Sequence, residues 1–126
     1  MSFAAVAIYA LGVACIARSL MAFIQPQAEY ALNGLKHTVA AHDDTSSGPV
    51  YMLGTWEGSV GVLLLVHQAS GNIAGVTTLL GLMSLFKVGN AVLMWRIGDE
   101  NKISKVTGNA MTAAVLSAWA WYEGQL

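Results

Sequence analysis

The sequence predicts an all-α fold: a bundle of four transmembrane helices, with a short interfacial helix after the first. Three observations predict it. Hydrophobic residues make up 56% of the 126 residues and charged residues only 10%, with a mean hydropathy of +0.57; a soluble domain carries about 25% charged residues. The charges are also segregated: 1–17 and 106–122 carry none, and 58–86 carries only the titratable His67. A spanning helix needs roughly 20 mostly apolar residues, and these stretches leave room for four. The same composition excludes a disordered chain and a coiled coil. It argues against a soluble bundle, whose outer helix faces need many charges. Six Lys plus Arg and a net charge of −1 exclude nucleic acid as a partner. The single cysteine, Cys15, excludes a disulfide framework, a CxxC redox centre and a cysteine-rich zinc site.

The chain reads as one integral membrane domain over 1–126. Helix one spans about 3–24 and is stopped by Pro26. Its start lacks the basic n-region of a signal peptide, and its apolar run continues to Arg18 and beyond. Ala28, Ala31, Leu32 and Leu35 then recur at helical spacing, which predicts a short interfacial helix opened by Pro26. His42 to Gly48 is polar and turn-like. Helix two follows Gly48-Pro49 and covers about 51–69; Gln68-Ala69-Ser70-Gly71-Asn72 is a turn signal that separates it from helix three, about 73–97. Gly98-Asp99-Glu100-Asn101 ends helix three, and helix four covers about 104–122, with Trp119, Trp121 and Tyr122 at its far end as an aromatic belt. Lys36 lies in the 25–50 loop, and Arg96, Lys102 and Lys105 border the loop after helix three. The positive-inside rule therefore places both long loops in the cytoplasm and both termini on the non-cytoplasmic side.

Ionisable residues inside a membrane are costly and mark candidate sites. Counting about 1.5 Å per residue, Arg18, Glu57 and Asn90 each lie about 9–10 Å in from the cytoplasmic ends of their helices. Lys87 is one turn deeper than Asn90, and Asn109 is about five residues into helix four. Four helices thus place polar groups at one level. One reading is structural, with Glu57 paired to Arg18 or to Lys87 and pinning two helices together. The other is a polar pocket open to the cytoplasmic interface. There Glu57 is the proton donor, Lys87 a base, Lys87 or Arg18 the stabiliser of a developing oxyanion, and Asn90 and Asn109 orient the substrate. Trp56 stacks on an unsaturated substrate or stabilises a carbocation.

The remaining polar residues read more plainly. Arg96 beside Trp95 snorkels to the interface. His67 is interfacial. His37, His42, Asp43 and Asp44 match no compact metal site and read as a solvated loop. Glu29, Asp43, Asp44, Asp99 and Glu100 read as loop residues and Glu123 as a solvated terminal one. Gly54, Gly58 and Gly61 form a close-packing face on helix two, and Gly71 and Gly75 start helix three in the same manner. That face serves packing within the bundle; homo-oligomer formation through it is left open.

Gly54-Thr55-Trp56-Glu57-Gly58-Ser59-Val60-Gly61 resembles the start of helix two in Domain of Unknown Function family 4267, where the pattern is roughly Gly-x-Arg-Asp-x-x-x-Gly. Trp56-Glu57 stands at the Arg-Asp positions, so the acid is kept and the base is lost. Gly89-Asn90-Ala91 is similar to that family's Gly-Asp-Ala in helix three, with Asn for Asp. Gly108-Asn109-Ala110-Met111-Thr112-Ala113-Ala114 is similar to its His-Gly-Ala-Thr-Ala segment, without the His. Ala17-Arg18, Pro26 and Asn33-Gly34 follow its Arg…Pro…Phe-Gly pattern. The resemblance covers most of the chain. It implies a small four-helix integral membrane protein of the kind found in bacteria and fungi, where fungal members can lie among genes for polyketide and terpenoid biosynthesis. For a fungal protein it implies the endoplasmic reticulum.

Three functions are weighed. The favoured one is a membrane-embedded enzyme without a cofactor, a cyclase or isomerase or an epoxide hydrolase, taking a lipophilic polyketide or terpenoid intermediate from the lipid bilayer. The second is a small-molecule transporter or exporter subunit in which Glu57 cycles protons. The third is a non-catalytic scaffold held by a structural ion pair.

Overall fold

The computed structural model describes residues 2–32, 48–98 and 100–125. Among these residues five α-helices follow one another: α1 Phe3–Ile24, α2 Pro26–Leu32, α3 Gly48–Ala69, α4 Ile73–Ile97 and α5 Lys102–Gly124. The bounds of α1 and α4 are those expected from hydropathy. Ser2 caps α1 by accepting the Ala5 N–H at 3.1 Å. The Gln25 N–H closes the other end on Met21 O at 2.7 Å. Pro26 has no N–H to continue α1, so it opens α2 instead, at a position where a missing donor costs nothing. The same property lets α3 begin at Gly48, earlier than the expected 51, with Pro49 in its first turn. Gly71 takes a φ of +70° in the turn after α3, which glycine adopts without steric cost. Among the described residues nothing lies within 4 Å of the Cβ it would carry, so it is a turn residue and not the packing residue expected. Asn72 then caps α4, its Oδ1 accepting the Gly75 N–H at 2.9 Å.

Three helices among the described residues, α1, α3 and α4, are long and apolar enough to cross a membrane. The fifth, α5, has 23 residues but is less apolar. Lys102, Lys105, Thr107, Asn109, Thr112 and Ser117 dilute it. The protein is thus all-α with three helices of spanning character, and the fourth expected span falls short on composition.

The chain forms two compact units, one built from α1, α2 and α3, the other from α4 and α5. In the first unit α1 and α3 pack antiparallel through small residues. A Cβ on Gly61 would lie 2.7 Å from Gly12 O, and one on Gly54 would lie 2.9 Å from Ala22 Cβ and 3.2 Å from Ser19 O. The glycine face expected on this helix is therefore pressed against α1. In hydrocarbon no hydrophobic force joins helices, so such close backbone contact supplies the attraction. Ile8, Ala22, Val50, Val60 and Leu64 are buried around it. In the second unit Val76, Leu79, Leu80, Met94, Ala113 and Leu116 are buried, and Ser84 Oγ donates to Ala113 O at 2.8 Å and lies 2.6 Å from Ser117 Oγ. Large apolar side chains such as Val13, Leu20, Val62, Leu85 and Val115 are exposed, as lipid-facing positions are. His37, His42, Asp43, Asp44 and Asp99 lie outside the described residues.

Candidate functional site

The contacts of Gly61 with Gly12, and of Gly54 and Gly58 with Ser19, fix the register of α1 against α3. That register brings Arg18 on α1 and Glu57 on α3 to one level. Glu57 is half-buried, and its Oε2 is fully buried. One turn nearer the helix ends, Phe23 and Tyr51 stack with ring centroids 5.5 Å apart and planes 10° from parallel. Trp56, beside Glu57 in sequence, is exposed.

The third charged residue at this level is Glu29. Arg18 Nη2 donates to Glu29 Oε1 at 2.6 Å and Arg18 Nε to Oε2 at 3.3 Å. The fork matches the two carboxylate oxygens, the geometry in which an ion pair is strongest. Glu29 is 0% exposed, while the Arg18 side chain keeps 39% of its surface. Arg18 thus has a carboxylate partner that the sequence did not suggest, Glu29. The physical reason is Pro26. It ends α1 and restarts the chain as α2, which packs on α1 and α3 and returns a carboxylate eleven residues onward in the chain to the guanidinium. Glu29 is thus a helix residue and not a loop residue. A signal for it was in the sequence: Glu29 stands beside Ala28 and Leu32 in the apolar pattern opened by Pro26.

The second unit holds the other candidates. Lys87 is half-buried, with Nζ 6.0 Å from the Phe86 ring centroid. The Ser84 contacts with Ala113 and Ser117 fix an antiparallel α4–α5 register that puts Asn90 and Asn109 at one level. Asn109 Nδ2 donates to Lys105 O at 2.8 Å within its own helix. Arg96 is exposed beside Trp95. Lys102 places Nζ 5.5 Å from the Trp95 ring centroid, at the end of α4 where a cation suits the helix dipole. Glu123 corrects a second expectation. It is 4% exposed, not solvated, and Trp119 Nε1 donates to its Oε1 at 3.1 Å. A donor one helical turn away lets the carboxylate leave water. Among the described residues no group of three or more His, Cys, Asp and Glu could hold a metal ion.

The model of a known family, Domain of unknown function (DUF4267), matches residues 12–122. The chain belongs to this family. The matched region contains Arg18, Glu29, Glu57, Lys87, Asn90 and Asn109, whereas Glu123 lies just outside it. None of the curated proteins and none of the solved structures matches the chain. For this DUF4267 protein, then, two helices of spanning character and the short α2 place one guanidinium and two carboxyl groups together in the first unit. Such a group can hold charge, move a proton at Glu57 and offer hydrogen-bond donors at Arg18.

Proposed function

We propose that this DUF4267 protein is a membrane-embedded enzyme that works without a cofactor, a cyclase or isomerase using Glu57 for general acid–base chemistry on a lipophilic polyketide or terpenoid intermediate. One observation carries the reading: a carboxyl group with a buried oxygen, on a helix apolar enough to cross a membrane, level with a guanidinium whose charge is already balanced by Glu29. An acid in apolar surroundings with a cation near it can give and take a proton. Trp56 offers its exposed ring to an unsaturated substrate. In the membrane α5 is the fourth span, both termini are non-cytoplasmic, and a fungal protein resides in the endoplasmic reticulum.

A scaffold reading is favoured by the Arg18–Glu29 pair itself, which joins α1 to α2 without chemistry. Glu57→Gln separates the two. It keeps shape and hydrogen bonding and removes titration. Conversion of candidate polyketide and terpenoid intermediates is followed in membranes, beside a thermal melt of the purified protein. Turnover is expected to fall about 100-fold or more with the melt unchanged. Full turnover in the variant rejects the assignment. Proton-driven export from vesicles, lost in the same variant without any chemical conversion, would make the protein a transporter.

A further inference from the structure

Arg18 binds Glu29 through Nε and Nη2. A guanidinium has five N–H donors in a planar fork, and the edge bearing Nη1 points away from a carboxylate held in this way. Among the described residues Nη1 makes no hydrogen bond, and the Arg18 side chain is 39% exposed while its partner is wholly buried. The exposed part lies within an apolar helix of spanning character. A donor edge left there without an acceptor is costly, so the site favours whatever brings one.

We propose that the Nη1 edge of Arg18 receives the carbonyl oxygen of a neutral, lipophilic ketone, aldehyde or ester. This rests on the enzymatic reading above and names its substrate class. A neutral oxygen fits better than a free carboxylate, because Glu29 already balances the guanidinium and Glu57 adds a second acid at the same level. A plain hydrocarbon would leave the donors unmet. The arrangement also defines a balanced reaction. Ionised Glu57 takes a proton from the carbon next to the carbonyl. The C–H electrons form a C=C bond, and the C=O electrons move onto an oxygen held by Arg18. Glu57 then returns the proton to another carbon of the enolate, the charge leaves the oxygen, and the double bond has moved. No oxidant or second reactant enters, which is an isomerisation.

The test uses the full chain in nanodiscs and a medium-chain methyl ketone labelled with 13C at the carbonyl. The alkane and the fatty carboxylate of equal length are competitors. The carbonyl resonance is expected to move downfield on binding, and the ketone to bind about tenfold or more tighter than the alkane, the range for a hydrogen bond to a charged donor. Arg18→Met alone can unfold the unit, so the decisive variant is Arg18→Met with Glu29→Leu, checked by its melt. Loss of the shift in that variant supports the site. An unchanged shift there, or tighter binding of the carboxylate than the ketone, overturns it. Exchange of the α-hydrogens in D2O is read beside it. A shift that persists in Glu57→Gln while exchange is lost supports both readings. A shift in the wild type without any exchange keeps the carbonyl site and rejects the enzyme. Exchange without any shift rejects the carbonyl site alone.

Discussion

Arg18 is ion-paired with Glu29, and its replacement separates charge from packing. Arg18→Met removes the cation that faces the fully buried Glu29 carboxylate. Breaking a buried pair from one side costs about 3–5 kcal/mol, because the other charge stays behind. Replacing both partners by apolar residues is neutral or stabilising by about 1–4 kcal/mol. The expected order of melting temperatures in detergent is therefore Arg18→Met lowest, with the wild type and the Arg18→Met, Glu29→Leu pair close together. Equal melts for the single and double variants would mean that the carboxylate is not held by this pair. At this scale the sequence exposed Arg18 and Glu57, since a charge in an apolar run stands out. It hid the partner. Glu29 reads as a loop acid until a proline break turns the chain, and hydropathy carries no information about which carboxylate a guanidinium will meet. Glu123 was hidden for a similar reason. Its burial depends on Trp119, a residue that reads as an interfacial anchor.

The contact of α1 with α3 depends on atoms that are missing. At Gly61 a methyl group would lie 2.7 Å from a backbone oxygen, 2.9 Å from Ile16 Cγ1 and 3.0 Å from Cys15 Cβ. The first of these cannot rotate away, so Gly61→Ala must part the helices. Overpacking of this kind costs about 1–3 kcal/mol, and the melt is expected to fall accordingly. At Gly58 the nearest atom is Ser19 Oγ at 2.7 Å, a side chain that can turn, so Gly58→Ala should cost less. The reverse order would place the closest approach elsewhere. In the second unit Ser84→Ala removes a hydroxyl bonded to Ala113 O and Ser117 Oγ, with an expected loss of about 1.2 kcal/mol at the mean of about 0.6 kcal/mol for each such bond in a membrane bundle. The glycine face was legible because small residues at helical spacing have a geometric meaning. The early start of α3 was not, because Gly48-Pro49 serves as a loop or as a first turn with equal ease.

For the whole molecule the deciding question is whether α5 crosses the membrane. Its composition is less apolar than that of α1, α3 and α4, yet composition scores its polar side chains as if they faced lipid unbonded. Several are bonded within the helix or to its neighbour. Asn109 Nδ2 donates to Lys105 O and Thr112 Oγ1 to Gly108 O, both at 2.8 Å, and Ser117 meets Ser84. Trp119 satisfies one oxygen of buried Glu123. In hydrocarbon the cost falls on unsatisfied polar groups, so these bonds lower the penalty that hydropathy assigns. Lys102 and Lys105 sit at the start of the helix, where long side chains reach the interface. The prediction is an even number of spans, with both termini on the non-cytoplasmic side. In a Cys15→Ala background, single cysteines at Ser2, Ser70, Glu100 and Gln125 are labelled in sealed membranes with an impermeant maleimide. Ser2, Ser70 and Gln125 should react from the side opposite to Glu100. Gln125 reacting from the same side as Glu100 would leave α5 on the surface, reduce the protein to three spans and remove α5 from any intramembrane site.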